Sequence, residues 1–251
     1  MRVSIVAAGV ALSVSACATS TTSQTSEEVY DPLEGWNRQV YAFNDGLDRV
    51  VLEPAAKGYR AITVEPIRQG VTNFLRNLNQ PIVFVNTVLQ GKPEPALDTV
   101  ARFLLNTTVG IAGIFDPASA LDVPRHNEDF GQTLGVWGVP SGAYLVLPGL
   151  GPSNVRDTAG FAVDTVFDPL NWAQFEGDDE FQVTQFVVGA VSARERLDDV
   201  VQAVREQPEP YVFVKRNYDR QRDADIADGA EEEDPFANLP DFDDFDFGDE
   251  E

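Results

Sequence analysis

Apolar side chains return every three or four positions early in the chain: Leu33, Trp36, Val40, Phe43 and Leu47. That spacing draws one stripe along a helix face. Asp31-Pro32 supplies a start, with proline near the first helical position. Trp36 is read as a core residue. Pro66 opens a second helix carrying Ile67, Val71, Phe74, Leu75 and Leu78. Pro81 is expected to interrupt it, because proline inside a helix removes a backbone donor and clashes with the preceding turn. A third piece follows with Ile82, Val85, Val88 and Leu89, and Gly91 closes it. Further helices are predicted near 95–107, over about 180–206, and after Pro210. Strand alternation is scarce, and residues 143–147 are its best candidate. The fold class this predicts is all-α.

Two stretches do not fit a plain helical bundle. TTVGIAGIFDP at 107–117 is small, apolar and nearly uncharged. From Gly131 to Pro152 the chain holds six glycines, three prolines and no charge. Two readings stay open for this block: a buried irregular loop, or a wall that faces lipid or lines a passage. Such backbone cannot meet acyl chains with its amides unpaired, but it can border a cavity.

The N-terminus reads as an export signal, with Arg2 and then an apolar run from Val3 to Leu12. Val14-Ser15-Ala16-Cys17 has the form of a lipobox, so Cys17 is the expected lipid-anchor residue. Multiple acyl chains at about 0.8 kcal/mol per buried CH₂ would hold it firmly. Ala18, not aspartate, follows the cysteine, which by analogy with bacterial lipoprotein sorting favours the outer membrane. Seven of the nine residues 18–26 are Ser or Thr, a composition for a tether. At the other end, twelve acids and no bases lie from Asp228 onward, threaded with Phe242, Phe245 and Phe247. This segment is expected to be disordered. The expected organisation is a signal peptide over 1–16, lipidated cysteine and tether over 17–30, one helical domain over 31–222, and an acidic tail over 223–251.

Composition narrows the chemistry. Net charge is -23, from 41 acids and 18 bases, which repels nucleic-acid phosphates. One cysteine and one histidine exclude an intramolecular disulfide and a Cys/His zinc site, so no metal or cofactor is expected. No apolar run reaches the roughly 18 residues of a transmembrane helix. Ser141 sits in Gly-Val-Pro-Ser-Gly, which is not the hydrolase nucleophile elbow. His126, beside Glu128 and Asp129, is the one general-base candidate, in a polar run that reads as a surface loop.

DPLEGWNRQVYAFND at 31–45 resembles the opening motif of the MlaA/VacJ family of outer-membrane lipoproteins. NFLRNLNQP and VNTVLQGK within 73–92, RFLLNTTVGIAGIFDPA at 102–118, FGQTLGVWGVPSGAYLVLPGLGPSNVRD at 130–157 and EPYVFVKRNYD at 209–219 resemble further blocks of that family. The resemblance covers roughly 31–222, and the acidic tail departs from it. It implies a ring-like domain of amphipathic helices with a central channel, lying in the inner leaflet of the outer membrane beside a trimeric porin. It also implies a function without covalent chemistry: misplaced glycerophospholipids leave the outer leaflet and pass to a soluble periplasmic carrier. Phe43 and Asn44 match a family segment near the channel mouth and are gating candidates. Gly135, Trp137, Gly138, Tyr144 and Leu147 are candidates for channel wall or membrane contact, with core packing as the alternative for the aromatics. Two other functions stay in play: a non-catalytic scaffolding lipoprotein, and a lipid hydrolase.

Overall fold

The computed structural model describes residues 29–172 and 177–227. The export signal, Cys17, most of the tether and the tail from Asp228 lie outside the described residues.

Helix α1 (Glu34–Leu47) runs through a π turn (Asp48–Leu52) directly into α2 (Glu53–Ile62). The apolar pattern announces nothing over 48–62, because the π turn shifts the register and breaks the stripe. Helix α3 (Glu65–Leu89) passes unbroken through Pro81, so the expected interruption is corrected. An interior proline costs about 3 kcal/mol. Packing against antiparallel α4 (Pro93–Thr108) carries the helix across it, and Asn77 of α3 donates to Thr107 of α4 at 2.9 Å. Short helices α5 (Pro117–Ala120) and α6 (Phe130–Val136) lead into the single hairpin among the described residues. It consists of β1 (Tyr144–Leu147) antiparallel to β2 (Gly151–Asn154), in register from Tyr144↔Asn154 to Leu147↔Gly151. Helices α7 (Val155–Phe167) and α8 (Pro169–Trp172) follow. The expected 180–206 helix is two: α9 (Asp178–Arg196) and α10 (Asp198–Glu206). Leu197 leaves helical geometry, and Asp198 and Asp199 begin a fresh first turn where the helix dipole favours carboxylates. Helix α11 (Pro210–Ile226) extends four residues beyond the expected end of the domain at 222.

The fold is therefore all-α with one small hairpin. Its interior is unusual. Eight hydrophobic side chains are buried among the described residues, against twenty polar or charged ones. Thirty-three large hydrophobic residues among the described residues are exposed. Helix α1 shows the inversion: Asn37 and Val40 face inward, while Leu33, Phe43 and Trp36, 59% exposed, face out. The reading of Trp36 as core is thus corrected. Outward apolar faces recur on α3 (Phe84, Val85, Val88), α7 (Phe161, Phe167) and α9 (Val183, Phe186, Val187). Inside, hydrogen bonds do the joining. Arg222 of α11 binds both oxygens of Asp129 at 2.8 and 2.9 Å and Asp157 at 2.9 and 3.0 Å, which ties α11 to the starts of α6 and α7. No helix among the described residues is long and apolar enough to cross a membrane.

Candidate functional site

A cavity of about 230 Å³ opens between α1, the hairpin, α10 and α11. One wall is polar: Asn44, Asp45 and Asp48 from α1 and its π turn, with Arg205 from α10. The rest of the lining is apolar, built from Val146 and Pro152 of the hairpin with Val201, Val204 and Val214. Hydrogen-bonding groups fix orientation and apolar area supplies affinity, so this division suits an amphiphile.

The polar wall is held by two arginines. Arg205 donates to Asp45 at 2.9 Å, Asp48 at 2.8 Å and Glu53 at 2.8 Å. Arg194 of α9 donates to Asp48 and Asp198, each at 2.7 Å. Asp48 and Glu53 are five residues apart. The i→i+5 bonding of a π turn brings such residues toward one face, which a straight α-helix would not do. Hydrogen bonds from Lys57 and Arg205 pull the Glu53 carboxyl down to about 2. Burial opposes the Arg205 charge, but its bonds to Glu53 and Asp45 outweigh that and raise its pKa.

Two asparagines fasten α1 to the hairpin. Asn37 Nδ2 donates to the Tyr144 carbonyl at 2.9 Å, and its Oδ1 accepts from Val146 N–H at 2.9 Å. Two helical turns on, Asn44 repeats the device. Its Nδ2 donates to the Leu147 carbonyl at 2.9 Å, and its Oδ1 accepts from Gly149 N–H at 2.8 Å. Side-chain amides thus occupy the edge of β1 where another strand would otherwise pair. Asn37 Nδ2 also donates to Asp31 at 2.8 Å. Burial works against ionisation of Asp31, but hydrogen bonds from Tyr211, Asn37 and Lys215 hold its carboxyl below the usual range.

The predicted residues fall into separate groups. Asn44 and Tyr144 border the cavity, and Leu147 is bound to Asn44. Tyr144 is 1% exposed, packed edge-on against Tyr211 and Tyr218. Its hydroxyl has no hydrogen-bond partner among the described residues, and burial followed by the nearby Asp31 charge pushes its pKa well above the ordinary value. Phe43 is 58% exposed and stands outside the small apolar cluster of Val40, Tyr144, Val146 and Tyr211. Gly135, Trp137 and Gly138 lie at the end of α6. Trp137 donates to the Leu89 carbonyl at 3.1 Å and stacks edge-on with Phe130. Gly138 holds a left-handed φ of 86°, a conformation that favours glycine. A side chain on Gly135 would collide with Ile226. The charge-free block is thus neither wholly buried nor wholly exposed: Gly131–Thr133, Tyr144 and Val146 are inside, while Val136–Pro140 and Pro148–Leu150 are outside. His126 pairs with Asp98 at 3.1 Å, while Glu128 binds Gln90 and Lys92 and Asp129 binds Arg222. Arg194 and Arg205 lie in none of the sequence motifs, and Asn37 lies inside the block at 31–45 without being one of the candidate site residues.

The model of the family described as MlaA lipoprotein matches residues 29–225. The chain is 35% identical to the Shigella flexneri "Intermembrane phospholipid transport system lipoprotein MlaA", over 92% of this chain and 90% of that protein. The Escherichia coli (strain K12) protein of the same name is also 35% identical, with the same coverage. An uncharacterized Rickettsia felis protein is 36% identical over 79% of each chain. A solved structure from work on the structural basis for maintenance of bacterial outer membrane lipid asymmetry superposes with a TM-score of 0.69. It shows 34% identity and covers 78% of this chain and 98% of that one.

Proposed function

Since this chain belongs to the MlaA lipoprotein family, we propose that it takes misplaced glycerophospholipids from the outer leaflet of the outer membrane and releases them toward the periplasm. In this reading Cys17 carries the anchor, residues 17–30 tether it, and the helical body sits in the inner leaflet. The observation that carries the reading is the inverted interior: buried amides and ion pairs, with thirty-three large hydrophobics of the described residues outside. In water such a surface is costly, since burying one Leu- or Phe-sized side chain is worth about 1.5–3 kcal/mol. In a leaflet the same side chains meet acyl chains, while the helical backbone and most buried polar side chains are satisfied internally.

Transport needs only a path of the right polarity. A headgroup follows the Asn44–Asp48–Arg205 wall, and tails follow Val146, Val201 and Val214. The two bonds from Asn44 to the hairpin turn, each worth about 0.5–1.5 kcal/mol net, make a latch weak enough to open thermally. Phe43 and Asn44 are assigned to that gate. Tyr144 and Leu147 are assigned to the wall, and Gly135, Trp137 and Gly138 to the membrane-facing rim. A trimeric porin beside the exposed helix faces and a soluble periplasmic lipid carrier are the expected partners. Neither a cofactor nor a covalent step enters this scheme.

Deleting the gene and measuring phospholipid at the cell surface tests it. Surface phospholipid is expected to rise, and to return to normal on complementation with the full chain but not with a variant in which the Phe43–Asn44 segment is shortened. Unchanged leaflet composition after deletion would remove the reading.

A further inference from the structure

One cleft runs against the overall sign of this acidic chain. Between α3, α4 and the turn before α5, Arg76, Arg102 and Arg125 meet around Asp116, flanked by the amides of Asn73 and Asn77. Arg102 is buried and committed: it donates to both oxygens of Asp116 at 2.8 and 2.7 Å and to the Val123 carbonyl at 2.6 Å. Asp116 also accepts from Arg125 at 2.6 Å, Asn106 at 3.0 Å, and the backbone and hydroxyl of Ser119 at 3.2 and 2.7 Å. A carboxylate offers about four lone-pair sites, so Asp116 is saturated and has nothing left for another cation.

Arg76 is that further cation. Its guanidinium makes neither a hydrogen bond nor an ion pair with the described residues, and it shares the cleft with Arg125. Partial desolvation in the cleft, then the neighbouring charges of Arg125 and Arg196, lower its pKa, although the side chain still reaches solvent. Beside it lies Asn77, 4% exposed. Its Nδ2 donates to Thr107 Oγ1 at 2.9 Å and to the Ala112 carbonyl at 3.3 Å. That carbonyl only accepts, which fixes the amide orientation and leaves Asn77 Oδ1 buried without a partner. The enclosed floor of the cleft holds about 10 Å³, room for one water. A ligand would therefore sit on the rim, above a water that Asn77 Oδ1 accepts from. Two guanidinium forks arriving from different elements suit a tetrahedral oxyanion, which offers acceptors in several directions.

We propose that the rim of this cleft, Arg76 and Arg125 above the Arg102–Asp116 pair, binds a phosphate-bearing anion, either the phosphodiester of a lipid headgroup or free phosphate. The site rests on these residues alone and does not depend on the transport reading.

The test is a phosphorus NMR titration of the full-length protein in nonionic detergent at low salt, with inorganic phosphate and, separately, glycerophosphoethanolamine. Saturable binding of at least one probe is expected. Arg76→Gln and Arg125→Gln are each expected to weaken it about tenfold. Arg216→Gln, which removes an exposed charge from α11, is expected to change it less than about twofold. Saturation by the diester at equal or lower concentration assigns the headgroup, and saturation by phosphate alone assigns the free ion. No saturation by either probe, or equal weakening by Arg216→Gln, overturns the proposal. Arg76 and Arg125 are exposed, so their variants are expected to melt like the parent. If a Gln variant melts early, Arg76→Lys supplies the reading: it keeps the charge and loses the fork, so binding intermediate between parent and Gln is expected, and parental affinity would count against the site.

Discussion

Asn37 and Asn44 make the same pair of bonds and differ in burial. Asn37 is fully buried, so Asn37→Ala strands the Tyr144 carbonyl and the Val146 amide away from water. A loss of about 2–4 kcal/mol is expected, because each unsatisfied buried group costs about 1–3 kcal/mol. Chemical denaturation of the parent and variant checks it. Asn44 binds a more exposed turn, so Asn44→Ala is expected to cost about 1 kcal/mol while shifting surface phospholipid more than Asn37→Ala does. A reversed ranking in the cellular assay would take Asn44 out of the gate. A third residue acts through space. A Cβ on Gly160 would lie 2.3 Å from the Gly131 nitrogen, where α6 and α7 touch backbone to backbone. Gly160→Ala is expected to destabilise by at least about 1–3 kcal/mol, as overpacking does, visible as a lower melting temperature.

At the level of elements, the helices with long apolar spacing were legible: α1, α4 and α11 lie where the periodicity puts them. What the sequence could not disclose was which side of each stripe faces inward. Leu33, Trp36 and Phe43 fix a helix face, but only the neighbours reveal that Asn37 is buried in that helix beside Val40. Pro81 and Leu197 failed as guides for opposite reasons. Packing carried α3 across the proline, and paired aspartates ended α9 where hydrophobic spacing continued. The cavity was half legible. Asn44, Tyr144 and Leu147 came from a resemblance, whereas Arg194 and Arg205 meet Asp48 from 146 and 157 residues away and leave no local signal. The π turn is the element whose loss separates these parts. Deleting Val51 is expected to return the segment to α spacing, swing Glu53 away from Arg205 and lower the melting temperature, with α1 helicity retained by circular dichroism. An unchanged melting temperature would show that the register of this turn does not matter.

Across the molecule, the carboxylates drawn into the fold are mostly held ionised by their partners. Tyr211, Asn37 and Lys215 at Asp31, and Arg222 at Asp129 and Asp157, lower carboxyls that burial alone would raise from 3.8. A depressed native value adds stability that is present above the unfolded value and lost as pH falls through the native one. Burial raises Asp164 and Asp225, which act in the opposite sense, but they are the minority. Stability is therefore expected to hold from pH 7 to about 5 and to fall steeply below about 4, as followed by denaturant midpoints across that range. The exposed apolar faces make a separate prediction. Cys17→Ser would remove the proposed anchor, yet the body is expected to float with phospholipid vesicles and to resist a high-salt wash, which ionic adsorption would not. Because grease lies outside and amides inside, a map of tolerated substitutions for this chain would read upside down. Lysine placed on Phe161 or Phe186 would be the damaging change, and alanine at a hidden asparagine would harm more than alanine at an outward leucine.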